Sequence, residues 1–168
     1  VGIIEDVAKA VGNGLKDARS SLFIVGQDST CDDGWLGCSL YARIIANREG
    51  GAPPPVDIDA EARNGSFIRE QIAANQLAAC HDISDGGLLV AIAEMVIAGD
   101  KGVQIEMPSS ATLHGWAFGE DQGRYIVAVT EAAEFETAAA VAGVPVAYLG
   151  KVTETAQLKF GDEPPISI

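Results

Sequence analysis

The sequence predicts an α+β fold, a layered mixed sheet with helices, and three observations predict it. Short apolar runs recur between turn formers, the pattern of buried strands. Between them lie stretches of helical period, one of which, Leu88 to Ala98, is apolar on nearly every side. The order is strand, helix, helix, strand, helix, strand, strand, helix, strand and a closing hairpin, which is neither strict alternation nor two separate blocks.

Residues 1–20 mix an apolar start with Gly12, Gly14 and scattered charges, and are expected to be a linker from a preceding domain; residues 21–168 are expected to be the domain itself. Ser21 to Gly26 is a compact apolar run, expected to be a core strand covered on both faces. After the aspartate-rich stretch Gln27 to Gly34, residues Trp35 to Ile45 are expected to form a helix, since Leu36, Leu40 and Ile44 recur every four residues. Gly50-Gly51-Ala52-Pro53-Pro54-Pro55 then reads as a surface loop, because each proline fixes φ and removes a donor. Asp57 and Asp59 suit a helix N-terminus, and that helix is expected to reach Gln76, with Gly65 weakening its middle.

Leu77 to Cys80 is the next short strand, and Ser84 is read as the N-cap of the apolar helix that Gly99 ends. Glu94, its only charge, is expected to reach solvent or to pair internally. Val103 to Met107 alternates as a half-exposed strand until Pro108. Tyr125 to Val129 is a further strand, Thr130 caps a helix running to about Ala142, and Val144 to Leu149 is another strand. Gln157 to Phe160 and Ile166 to Ile168 close the chain as short strands.

With 168 residues, 48% of them apolar, the chain suits one well-buried core and one domain. Its 24 acids against 11 bases, a net charge of −13, argue against nucleic acid or an anionic membrane as partner. No apolar run reaches the roughly 20 residues that cross a bilayer, and the N-terminus carries no basic segment ahead of an apolar signal core, so the cytoplasm is the expected compartment. Cys31, Cys38 and Cys80 lack the paired spacing of a zinc site and read as reduced thiols, Cys31 exposed and Cys80 packed. The chain opens on Val1, and is expected to be a fragment of a longer protein.

Two stretches carry candidate chemistry. His81-Asp82-Ile83-Ser84-Asp85-Gly86-Gly87 lies at a strand-to-helix corner, where the first backbone N–H groups of a helix have no internal partner and can hold an anion. Asp82 and Asp85 would repel a bare phosphate, so a phosphate bound there should arrive with a divalent cation between the charges. The same residues also suit an ordinary capped turn, and both readings stand. In the second stretch, Phe118-Gly119-Glu120-Asp121-Gln122-Gly123-Arg124, an acid beside an amide at a strand end suits the amide and hydroxyl groups of a small ligand. It also suits a polar turn whose Arg124 pairs with Glu120 or Asp121.

Together, His81 to Leu88, Ala93-Glu94-Met95, and Phe118-Gly119-Glu120 with Arg124 ahead of a strand resemble the C-terminal domain of the aminoimidazole ribonucleotide synthetase superfamily. Pro54-Pro55-Val56-Asp57 and Val146 to Gly150 extend the likeness over most of the chain. Within the superfamily the chain is most similar to the tandem branch that amidates formylglycinamide ribonucleotide. That likeness implies a synthetase C-terminal-domain fold in a ligase that uses ATP, magnesium and glutamine-derived ammonia in purine synthesis. It implies as partners the N-terminal ATP-binding domain and the first domain pair of the same parent chain, a glutaminase subunit and a small nucleotide substrate.

By the same resemblance Asp82 matches a magnesium position, and Ser84, Asp85, Gly86 and Gly87 a phosphate or nucleotide position for ATP or ADP. Glu120, Asp121 and Gln122 match a substrate-touching Glu-Ser-Gln triplet, with Asp121 replacing the serine. The wording of residues 81–87 is more similar to the second copy of the domain, whose site is degenerate in that branch, so no catalytic residue is assigned and the isolated fragment is expected to be inactive. His81 and His114 match none of the family's catalytic histidines; His81 is expected to pair with Asp82, and His114 to lie in a loop without a partner. The alternatives are aminoimidazole ribonucleotide synthetase itself, selenophosphate synthetase or thiamine monophosphate kinase, and a structural or assembly module that binds nothing.

Overall fold

The structure is a computed structural model that describes residues 4, 6–27, 35–108 and 112–167. Asp28, Cys31, Asp32, Asp33, Gly34 and Ile168 lie outside the described residues. Among the described residues the strands are β1 (Ser21–Val25), β2 (Ala79–Asp82), β3 (Gly102–Ile105), β4 (Tyr125–Val129), β5 (Val146–Thr153), β6 (Gln157–Phe160) and β7 (Ile166–Ser167). They form one sheet in the order β2-β4-β1-β5-β3-β6-β7. Each neighbouring pair is antiparallel except β3 with β6. Five helices are α1 (Leu40–Ile44), α2 (Ile58–Ala73), α3 (Gly87–Gly99), α4 (Leu113–Phe118) and α5 (Ala132–Ala142).

Successive side chains of a strand point to opposite faces, and the sequence of the central strands uses both. Leu22, Ile24, Ile126 and Ala128 face α3 and α4, meeting Leu88, Ala91, Ile92, Met95, Val96 and Trp116. Phe23, Val25, Val127 and Val129 face α2 and α5, meeting Phe67, Ile68, Phe135 and Ala139. The β1 and β4 region of the sheet is thus the middle of three layers, as a strand of unbroken apolar residues requires. The sheet covers one side of helix α3, and α4 and the chain ahead of β1 cover others, but Val90, Glu94, Ile97 and Ala98 form an exposed face, so its all-round apolar character exceeds what burial requires.

Several local expectations are corrected. The segment 35–45 is not one helix: a 3-10 turn at Leu36–Cys38 precedes α1, because Ser39 breaks the helix and caps the second piece, its Oγ accepting from Ala42 N at 3.2 Å while donating to Leu36 O at 2.7 Å. Its apolar repeat marks no buried stripe, since Ile44 and Ile45 are each 68% exposed. Ser84 is not the cap of α3; Gly86 is, at φ 85°, and it is the Ser84 carbonyl that accepts from Gly87 N at 3.0 Å. Thr130 likewise yields to Glu131 as N-cap of α5, without a side-chain bond. The second helix stops at Ala73, where Asn75 turns to φ 57°, rather than at Gln76.

The end of the segment read as linker belongs to the domain's packing. Leu15 is fully buried, its N–H donates to Met95 O at 3.1 Å, and Gly12 O accepts from Cys80 N at 3.1 Å. An apolar residue after two glycines carries too little pattern to reveal this.

Candidate functional site

Register brings the two stretches together. In the β2–β4 pair Asp82 stands opposite Tyr125, and Ile83 N donates to Arg124 O at 3.0 Å. The turn leaving β2 and the turn entering β4 therefore sit side by side at one end of the sheet. Gly87 sits against the second turn with φ 74°; a Cβ there would lie 2.6 Å from the Phe118 carbonyl carbon and 2.8 Å from Gly119 O. Only glycine permits that backbone angle and that approach.

Glu120 closes the junction. Its Oε1 accepts from Gly86 N and from Leu40 N, each at 2.8 Å, tying the corner of α3 to the start of α1. Arg124 is 1% exposed and organises the loop from beneath, donating from Nη2 to Gly119 O at 2.7 Å and from Nε to Asp121 O at 3.4 Å. Its Nη2 also lies 3.3 Å from Asp121 Oδ2, so the pairing of Arg124 with Asp121 is present, and Asp121 turns inward to a cation. Gln122 is exposed, its Nε2 donating to Glu120 O at 3.3 Å.

A hollow of about 240 Å³ opens where these parts meet. It is lined by Ser84, Asp85, Glu120 and Gln122 together with Trp35, Cys38, Ser39, Pro53 and Pro54. Of the expected site residues, Ser84, Asp85, Glu120 and Gln122 thus share one cavity, Gly86 and Gly87 do not line it but pack against Glu120 and the Phe118–Gly119 backbone, and Asp121 serves Arg124. The proline run, expected as a plain surface loop, supplies part of the wall; nothing local in its sequence signals that role.

Asp82, at the end of β2, does not line this hollow and is 64% exposed at its side chain. His81 lies between two carboxylates, its Nδ1 3.2 Å from Asp82 Oδ1 and its Nε2 3.0 Å from Glu94 Oε2. The expected His81–Asp82 pair is present, and Glu94 both reaches solvent and pairs. Among the described residues no group of three or more His, Cys, Asp or Glu could enclose a metal ion. One carboxylate suits magnesium only as a member of a set completed by phosphate oxygens and water, which is how magnesium is usually held. His114 is in α4 rather than in a loop, its ring 5.5 Å from that of Tyr41, which stacks on Phe118 at 4.8 Å. Behind the site burial, and then the charge of Asp82, push the Cys80 thiol up to about 11, in keeping with a packed, unreactive cysteine.

A mixed sheet clothed on both faces over its centre, with a glycine corner and an acid-amide loop meeting at one end, defines a class. Residues 21–163 match the family described as AIR synthase related protein, C-terminal domain, and the chain belongs to that family. More particularly, it is similar to phosphoribosylformylglycinamidine synthase subunit PurL. The protein of that name from Azorhizobium caulinodans is 46% identical over 171 aligned residues, covering 100% of this chain and 23% of that protein. The one from Methylocella silvestris is 48% identical over 153, covering 90% and 20%. The chain therefore spans between a fifth and a quarter of the length of these curated relatives.

Solved structures agree on the fold. PurL of Thermotoga maritima complexed with FGAR superposes with a TM-score of 0.76 at 18% identity, over 92% of this chain and 27% of that one. HypE of E. coli, a hydrogenase maturation protein, gives 0.64 at 18%, over 95% and 52%. The expected superfamily and layered fold are both found.

Proposed function

We propose that this chain acts as a domain of a longer ATP-dependent carbon–nitrogen ligase that converts formylglycinamide ribonucleotide, glutamine-derived ammonia and ATP to formylglycinamidine ribonucleotide in purine biosynthesis. One observation carries the reading: the 46% identity to a PurL subunit extends over 100% of the chain. The geometry supports it, since Ser84, Asp85, Glu120 and Gln122 line one hollow beside the glycine corner.

In the parent, the amide oxygen of the substrate takes the terminal phosphoryl group of ATP, ADP leaves, and ammonia then displaces phosphate from the same carbon. Positioning and charge neutralisation supply most of the catalysis. Magnesium, when bound, would offset the phosphate charge, with Asp82 as this chain's ligand to it. Ser84, Asp85, Gly86 and Gly87 form the phosphate side of the cleft, and Glu120 and Gln122 the substrate side, while Asp121 is held inward on Arg124. The chain holds no catalytic residue of its own; the N-terminal ATP-binding domain and first domain pair complete the enzyme, a glutaminase subunit supplies ammonia, and the compartment is the cytoplasm.

The reading as a second, degenerate copy is supported by Asp121, which stands where the family carries a hydroxyl and is turned inward to Arg124 rather than into the hollow. The rival reading, a structural module, is favoured by Glu120, whose Oε1 is already engaged by two backbone amides. Two assays separate them. The 168-residue chain given formylglycinamide ribonucleotide, ATP and ammonium is expected to form no product, and product would refute the assignment of an inert domain. In the longer parent, Asp82→Asn is expected to weaken nucleotide binding; unchanged binding would leave the structural module as the better description.

A further inference from the structure

We propose that the groove between α1 and the Gly50 turn is an anion subsite, built on Arg43 and Arg48, that takes the phosphate group of a small phosphorylated ligand. The proposal rests on the reading of the neighbouring hollow as a ligand cleft and extends that cleft to a second end.

Four observations converge. Arg43 lies in the last turn of α1, and the N–H of Arg48 folds back to donate to Ala42 O at 3.0 Å, which sets the two arginines on the same side of the turn. Both line one cavity of about 320 Å³, and neither makes an ion pair among the described residues, although the protein carries a net charge of −13. Glu49 also lines this cavity, so two cations face one anion and the balance there is positive, against the sign of the whole chain. Guanidinium groups suit phosphate because their donors form a planar fork that matches its oxygens.

The walls are held in place by the chain itself. Cys38 Sγ donates to Gly51 O at 3.0 Å, and Gly37 packs so closely on Gly51 that a Cβ at Gly37 would lie 2.9 Å from its Cα. Gly50 lines the cavity at φ 116°, where a Cβ would meet nothing within 4 Å, so bare backbone borders open space. Cys38 and Ser39 line both this cavity and the hollow at Glu120 and Gln122, so the two lie on either side of the same pair of residues. A ligand with hydrogen-bonding groups at one end and a phosphate at the other spans them.

The test is a nuclear magnetic resonance titration of the ¹⁵N-labelled chain with inorganic phosphate, ribose 5-phosphate and ribose. Saturable shifts at the amides of Gly37, Cys38 and Gly50 are expected with the first two and not with ribose. An Arg43→Gln, Arg48→Gln double variant should bind at least about tenfold more weakly, as loss of a charge-assisted contact implies. Lys151→Gln with Lys159→Gln removes the same charge elsewhere and should leave binding within about twofold. Both arginines are exposed, so the variant folds. Equal weakening by both double variants, or shifts confined to other residues, overturns the subsite. A parallel titration with magnesium and ADP separates the two claims: silence at Gly86 and Glu120 while phosphate still shifts Gly37 defeats the cleft alone, and the reverse defeats the subsite alone.

Discussion

A single oxygen of Glu120 serves residues 80 and 34 positions away in the sequence. Hydrogen bonds to a charged acceptor contribute about 1.5–3 kcal/mol each, and partial exposure discounts that, so Glu120→Ala is expected to cost about 2 kcal/mol in urea unfolding. A loss under about 0.5 kcal/mol would show that the amides find other partners. Glu120 was legible in the sequence as a site residue, but its partners were not, because no local pattern encodes a contact so distant. Cys80 was legible as a packed thiol, since an apolar run beside it implies packing. Its thiol, raised to about 11 from 9.0, favours the protonated form when folded, so it stabilises below pH 9 and that contribution is lost as pH rises through about 11. The loss of stability across this window should be smaller in Cys80→Ala than in the parent chain, and iodoacetamide near pH 8 should label Cys38 well before Cys80.

At the scale of elements, the existence of the strands and of α2, α3 and α5 followed from period and punctuation, whereas starts and stops did not. Ser84 and Thr130 are good caps in isolation, yet positive φ at Gly86 and Gly87 moves the start of α3, and the helix begins where β4's incoming loop needs space. Two glycine substitutions separate backbone strain from collision. Gly143→Ala, at φ 65° with open space around its Cβ, should cost about 1 kcal/mol. Gly87→Ala, at φ 74° and against the backbone of Phe118 and Gly119, should cost more than about 2 kcal/mol in thermal or urea unfolding. Equal costs would mean that α3 shifts to make room. The every-fourth-residue repeat of Leu36, Leu40 and Ile44 suggests a longer helix than α1, but Ser39 divides the segment and tertiary structure buries Ala42 instead.

For the molecule as a whole, the layered mixed fold was readable from composition and element order, but sheet order was not, since neighbours in the sheet are mostly distant in the chain. Leu15 shows the same limit at the domain's border. Fully buried against α3, it should lose about 2–5 kcal/mol on truncation to alanine, measured by chemical unfolding, where a loose linker would lose none. Strand β1 lies between β4 and β5, pairing Phe23 with Val127 and with Tyr148. During synthesis, then, β1 has no lasting place until β4 and β5, about a hundred or more positions later, emerge. Such long-range pairing makes folding slow, and meanwhile the waiting Leu-Phe-Ile-Val segment is apolar surface that a chaperone would cover.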